Sequence, residues 1–172
     1  MAETPLTGSS AYASTTDMVT RYDVRTLGDL LSDTNVRLTS AQVLASTVLT
    51  ALLSSAAGDI EAAVVKSRRM LPEDLQALTG NALALLVDLN CRLAMVKTLA
   101  RRPLSFEVKA NSPEGLALQK LDRLTEGDNI FPTSEAATAG MKVTRAHTSP
   151  TSNDLVSVAR RYFGGLTPDQ DG

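Results

Sequence analysis

The chain has no tryptophan, a single cysteine and a single histidine among its 172 residues, and aromatics amount to 3%. Each scarcity excludes something. Cys91 alone cannot form an intrachain disulfide or a cysteine-based metal site, and a lone thiol suits a reducing compartment. His147 alone leaves no material for a histidine-rich metal cluster. With three Tyr and three Phe, the core must come from Leu, Val and Ala, which predicts helix packed on helix rather than an aromatic-rich sheet. There is no cationic excess: 17 Lys and Arg stand against 19 Asp and Glu, a net charge of −2, which weighs against non-specific grip on a nucleic-acid backbone. The Leu-rich stretch 82–100 is interrupted by Asp88, Asn90, Arg92 and Lys97, so it reads as an amphipathic helix and no membrane span is expected. The first twenty residues lack a basic start followed by an apolar run, so no secretory leader is expected.

What is present suffices for one core. Hydrophobic residues make up 43% and charged residues 21%, ordinary values for a globular domain. Residues 1–15 are mostly Thr, Ser, Ala and Gly. They bury too little to offset chain entropy and predict a flexible arm. A helical-bundle domain is expected over 16–132. Thr16 or Asp17 would cap a first short helix, and 23–31 a second with Val24, Leu27, Leu30 and Leu31 on one side. Thr39 and Gln42 have capping-box spacing and open a helix expected to run unbroken for about 25–28 residues. Gly58 in its middle would admit another helix closely. Pro72 starts a short helix to Leu78, Gly80 stops it, and Asn81 caps the helix 82–102, where Asp88 and Arg92 form an i,i+4 pair. Residues 104–108 alternate weakly and suggest an extended piece. Ser112–Pro113 opens a last core helix that Gly127 closes. Beyond Pro132 the composition turns to Thr, Ser, Ala and Pro, predicting an extended tail over 133–172 with one short amphipathic helix at 153–163.

No constellation for catalysis stands out. His147 lies in a Thr/Ser/Pro segment without rigid neighbours to orient it, so it reads as a surface residue. Cys91 sits mid-helix with no base nearby and reads as an inert, buried thiol. Phosphate-cradling glycine motifs are missing, and the acidic residues Asp17, Asp23, Asp29 and Asp33 lack calcium-loop spacing and read as caps and solvated charges. No cofactor is expected, and the chain does not read as an enzyme. Residues 71–81 followed by a helix imitate a helix-turn-helix, the alternative reading as a DNA-binding regulator. The second helix opens Ala82-Leu83-Ala84-Leu85-Leu86, which offers base edges no donor and phosphates no charge.

Two candidate contact regions remain. Arg92, Lys97, Arg101 and Arg102, with Lys109 nearby, gather toward the end of the long helix, where they could meet a neighbouring subunit or passing DNA. In the tail, Leu155, Val158 and Tyr162 share a helical face that Phe163 widens, beside Arg160 and Arg161. Two adjacent aromatics next to arginines, placed beyond a weakly hydrophobic linker, have the chemistry of an interface anchor that docks as a helix in a groove.

The order of several stretches carries a resemblance. Thr20-Arg21-Tyr22-Asp23-Val24-Arg25-Thr26-Leu27-Gly28-Asp29-Leu30-Leu31-Ser32-Asp33 is similar to the opening of the head–tail connector (adaptor, head-completion) proteins of tailed bacteriophages and prophages. Ala57-Gly58-Asp59-Ile60-Glu61-Ala62-Ala63 with its basic linker, Leu75-Gln76-Ala77-Leu78-Thr79-Gly80-Asn81, and Ala117-Leu118-Gln119-Lys120-Leu121-Asp122-Arg123-Leu124-Thr125-Glu126-Gly127 resemble the same group in the same order. The linker Lys66-Ser67-Arg68-Arg69-Met70 departs from it, lacking an aromatic near the second arginine. The resemblance implies an all-α bundle forming a homo-oligomeric, dodecameric ring beneath the portal protein. Neck, tail-terminator or tail proteins would meet its far side, and double-stranded DNA would pass through without sequence-specific contact. It also implies that the C-terminal segment reaches the portal, and that the protein resides in the virion neck after assembly in the host cytoplasm.

Overall fold

The computed structural model describes residues 11–34, 36–102 and 108–132, and these form an all-α bundle of seven helices. They are α1 (Thr15–Arg21), α2 (Val24–Leu31), α3 (Ser40–Leu44), α4 (Thr47–Ser67), α5 (Pro72–Gln76), α6 (Gly80–Ala100) and α7 (Pro113–Glu126). The expected helix at 153–163 and most of the weakly alternating piece at 104–108 lie outside the described residues.

Local capping chemistry sets where each helix starts. Ser14 caps α1, its hydroxyl accepting from the Asp17 amide at 3.2 Å while the Asp17 carboxylate accepts from the Ser14 amide at 2.8 Å. The expected cap at Thr16 or Asp17 is therefore displaced. Asp17 is the acidic third residue of a capping box, and the cap must lie three residues before it. Asp23 caps α2, accepting from the Thr26 amide at 3.0 Å. Ser112 caps α7 with Pro113 in the first turn, and Gly127 ends it at φ +89°, a left-handed position that favours glycine.

Within the stretch 1–15 expected as an arm, Tyr12 packs against the core and Ala13 is buried within it, and residues 1–10 lie outside the described residues. The long helix expected from Thr39 is two helices. Thr39 and Gln42 do form their box, with the Thr39 amide donating to Gln42 Oε1 at 2.8 Å, but α3 stops after five residues. Ser46 then caps α4, accepting from the Leu49 amide at 3.2 Å. The break lets the two pieces pack on different partners: α3 lies on α1 and α2, whereas α4 lies on α6 and α7. Gly80, expected to stop the preceding helix, is instead the first residue of α6, which follows Thr79 with no side-chain cap. Gly58 needs no close neighbour, since a Cβ added there would meet nothing within 4 Å. Gly28 is where contact is tight: a Cβ would stand 2.6 Å from the Leu38 carbonyl oxygen, so the chain leading into α3 crosses directly over α2.

Helices α4, α6 and α7 pack mutually and form the centre, with α1–α3 at one side and α5 against α4. Buried side chains from Leu89 to Leu99 point to every side of α6, so this helix is the axis of the core. Leu53, Ile60 and Val64 of α4 and Leu124 of α7 close around it, and Met70 and Phe131 seal the loops. The linker that lacks the expected aromatic is held by the buried Met70 and by Arg69, whose Nη1 donates to the Gly127 carbonyl at 3.2 Å.

Candidate interaction surface

The cations singled out by sequence lie along the last three turns of α6 and just beyond, and each has a partner within the chain. Arg92 Nε donates to Asp88 Oδ2 at 2.7 Å, and this bond raises the guanidinium pKa further above its ordinary range. Lys97 meets Asp59 of α4 at 2.7 Å, and Arg101 meets Asp33 at 2.6 Å. Arg102 donates to the Ser32 carbonyl. The four therefore do not converge on one patch. Lys97 ties α6 to α4, while Arg101 and Arg102 tie its end to the loop after α2. A cation already matched by a carboxylate contributes little to attraction at a distance.

Arg92 also borders a cleft of about 270 Å³ between α6 and α7, lined by Pro113, Leu116, Gln119, Lys120 and Arg123. Lys97's partner Asp59 borders another of about 240 Å³ between α4 and α7, with Ala62, Lys66 and Asp122. Of the carboxylates expected as caps or solvated charges, Asp17 and Asp23 act at helix starts, whereas Asp29 and Asp33 are instead ion-paired, with Arg37 and Arg101. Hydrogen bonds from Ser14 hold the Asp17 carboxyl below its usual range, and the bond from Arg37 does the same for Asp29. Among the described residues no three His, Cys, Asp or Glu side chains stand close enough to share a metal ion. Burial pushes the Cys91 thiol up to about 11, which keeps it protonated and unreactive near neutrality.

The tail residues Leu155, Val158, Arg160, Arg161, Tyr162 and Phe163, and also His147, lie outside the described residues. The helix-turn-helix alternative meets an obstacle in α6. Its outward positions in the first turns are Asn81, Leu83 and Ala84, and farther along its charged side chains Asp88, Arg92 and Lys97 are only partly exposed and already ion-paired, around a helix whose other residues from Leu89 to Leu99 are mostly buried. A recognition helix needs a free polar face to enter a groove.

Sequence reasoning missed two features. One is Asn90, counted as a polar interruption but fully buried. Its Oδ1 accepts from the Ala13 amide at 3.0 Å and its Nδ2 donates to the Leu53 carbonyl at 3.1 Å, so one side chain joins the chain ahead of α1 to α4 and α6. Tyr12 strengthens that junction by donating from its hydroxyl to Glu61 at 2.9 Å. The only sequence signal was an amide in the middle of an apolar helix.

The other is the outward side of α4. The stretch Ser40–Ser67 is long and apolar enough to cross a membrane by length and composition, with a mean hydropathy of 1.5 over 18 residues, yet 39% of that window is buried. Ala51, Ser55, Gly58, Ala62 and Val65 recur on the side facing away from α6 and carry no charge. Val65 is 56% exposed there. Of the flanking charges, Asp59 meets Lys97 and Glu61 accepts from Tyr12, while the exposed Lys66 follows Val65. No protein-family model, curated protein or solved structure matches this chain.

Proposed function

We propose that the chain is a structural subunit that works by contact alone: an adaptor in the head–tail connector ring of a tailed bacteriophage or prophage, joining the portal to neck or tail proteins around the DNA channel. The observation that carries this reading is where the four resembling stretches fall. They form the end of α1 with α2, the middle of α4, the junction of α5 with α6, and α7 with its glycine cap, which are the elements whose packing makes the bundle. A family likeness confined to unrelated loops would carry no such weight.

The physical logic follows from heterologous contact. A subunit with two different complementary faces closes into a ring, and a bundle with a rigid axis such as α6 holds those faces at a constant angle. The segment 153–163 then serves as the docking peptide for the portal, anchored by Tyr162 and Phe163 with Arg160 and Arg161, while Leu155 and Val158 complete its apolar face. DNA passes through the ring without sequence-specific contact, as suits cations already paired within the subunit.

Particle imaging of the purified full chain, alone and with a portal ring, tests the proposal. Closed rings that join the portal are expected. Deleting residues 153–172 is expected to leave a folded bundle that no longer joins it, and normal particle assembly by that truncation refutes the docking role.

A further inference from the structure

We infer that the basic cleft between α6 and α7 holds an acidic segment of this same chain, residues 166–171, as a latch on the C-terminal tail. The inference stands on the cleft and on the charges of the chain, independently of the ring reading. Under that reading, the latch keeps the adjoining docking peptide 153–163 close to the bundle until the portal displaces it.

The cleft of about 270 Å³ is lined by three cations, Arg92, Lys120 and Arg123, and by no carboxylate. Their positive charge is incompletely matched. Arg92 meets Asp88 at 2.7 Å, but Arg21 draws on the same carboxylate at 3.5 Å. Arg123 meets Asp128 at 3.4 Å in an exposed pair, which holds weakly. Lys120 is half-buried, yet it makes no hydrogen bond or ion pair among the described residues. An ammonium that has lost hydration without finding an acceptor favours an incoming carboxylate. The cleft also has an apolar part, where Leu116 is 47% exposed beside Pro113. An apolar side chain with carboxylates a few residues away fits both features.

Outside the described residues the chain supplies that combination once. Leu166 is followed by Asp169 and Asp171, with no cation from 162 to 172. Residues 1–10 and 103–107 hold one carboxylate each, Glu3 and Glu107, while Glu135 and Asp154 stand apart among Lys142, Arg145, Arg160 and Arg161. In an extended chain Asp169 and Asp171 would stand about 7 Å apart on one side, close to the roughly 5–6 Å that separates i,i+3 positions such as Lys120 and Arg123 on a helix. A duplex fits less well. It presents phosphates but no apolar side chain for Leu116, and a chain with a net charge of −2 exerts little long-range pull on it.

Tethering favours this segment over a free acidic peptide. The described chain ends at Pro132, shortly after Asp128, which Arg123 meets at the cleft's end. Helix α7 spans about 20 Å at ~1.5 Å per residue, and a Thr, Ser, Ala and Gly linker the length of 133–165 has a root-mean-square span of about 30 Å. The cleft lies within that radius, so the segment meets it at a millimolar effective concentration with no partner to find. A contact too weak to hold a free peptide is then populated.

The test attaches a fluorescent dye to the full chain through Gly172→Cys, with Cys91 buried and out of reach of the reagent. Anisotropy reads whether the end of the chain is held, and circular dichroism reads folding. The labelled chain is expected to show high anisotropy in low salt, unchanged from nanomolar to micromolar protein, and to lose it in high salt. Lys120→Glu with Arg123→Glu is expected to release the tail at unchanged ellipticity, and Asp169→Lys with Asp171→Lys to release it from an unaltered bundle. Should the α7 reversals cost ellipticity, the tail reversals decide alone. Combining all four is expected to restore the hold, since opposite charges meet again. Equal anisotropy in all these proteins, or no recovery in the combined variant, overturns the inference. Anisotropy that rises with protein concentration would put a neighbouring copy's segment in the cleft and overturn the intrachain latch. A short fluorescent duplex that binds the wild type but not Lys120→Glu, while the tail stays free, would give the cleft to nucleic acid and overturn it as well. None of these outcomes touches the ring reading, which stands or falls on joining the portal.

Discussion

Replacing Asn90 by alanine is expected to destabilise the bundle by about 2–4 kcal/mol. The side chain is fully buried and makes two hydrogen bonds, from the Ala13 amide at 3.0 Å and to the Leu53 carbonyl at 3.1 Å. Truncation leaves the buried Ala13 amide without its acceptor, at a cost of about 1–3 kcal/mol. The vacated volume adds a cavity term of about 1 kcal/mol. The loss of the Leu53 contact is smaller, because a carbonyl inside a helix already accepts from its own helix. Urea unfolding followed by far-ultraviolet circular dichroism measures the change. Deleting residues 1–13 separates the contributions. In that background the orphaned amide no longer exists, so Asn90→Ala is expected to cost about 1–2 kcal/mol less than in the full chain. Asn90→Asp adds a pH signature. A carboxylate there keeps the acceptor for Ala13 but is buried, so its folded pKa lies above the unfolded value of about 3.9. Stability of this variant is greatest below that value and falls as pH rises toward the folded pKa. A change below about 0.5 kcal/mol for Asn90→Ala, or equal costs with and without residues 1–13, would refute the account of Asn90 as the tie between the N-terminal segment and the bundle.

Gly58→Ala is expected to stabilise the isolated subunit by about 0.5–1 kcal/mol, since the added methyl meets nothing; a lower urea midpoint would contradict this. Cys91 is expected to resist disulfide-exchange reagents at pH 8, its thiol being buried with a pKa of about 11, and to react quickly once urea unfolds the chain; rapid native-state labelling would disprove the burial. Asp17 stabilises the start of α1 through its lowered pKa. That contribution is present above the ordinary carboxylate range and is lost as pH falls through the lowered value. The acid limb of the stability curve should therefore flatten in Asp17→Asn, and an unchanged limb would remove the capping box from the account.

Much of the bundle was legible because helix ends are written locally. Ser112–Pro113, Gly127, Asp23 and the Thr39–Gln42 box each act within four residues, and all four appear where the sequence places them. Local signals failed where two competed. Ser46 reads as an ordinary interior residue of a long helix, yet its hydroxyl caps α4 because the preceding turn had already committed to α1 and α2. At Ser14 and Asp17 the box was visible in the sequence, but low hydrophobicity over 1–15 argued for an arm until Ala13 found Asn90.

The candidate surface divides the same way. Sequence by itself determined that the core is Leu, Val and Ala in helices, that Cys91 is inert and that Asp88 pairs with Arg92. Composition, periodicity and i,i+4 spacing are enough for those statements. Tertiary structure alone decided that Lys97, Arg101 and Arg102 are paired with Asp59, Asp33 and the Ser32 carbonyl, residues distant along the chain. It also decided which side of each apolar helix its neighbours cover. Periodicity reports that a face is apolar, but only the positions of α6 and α7 show which side of α4 they cover.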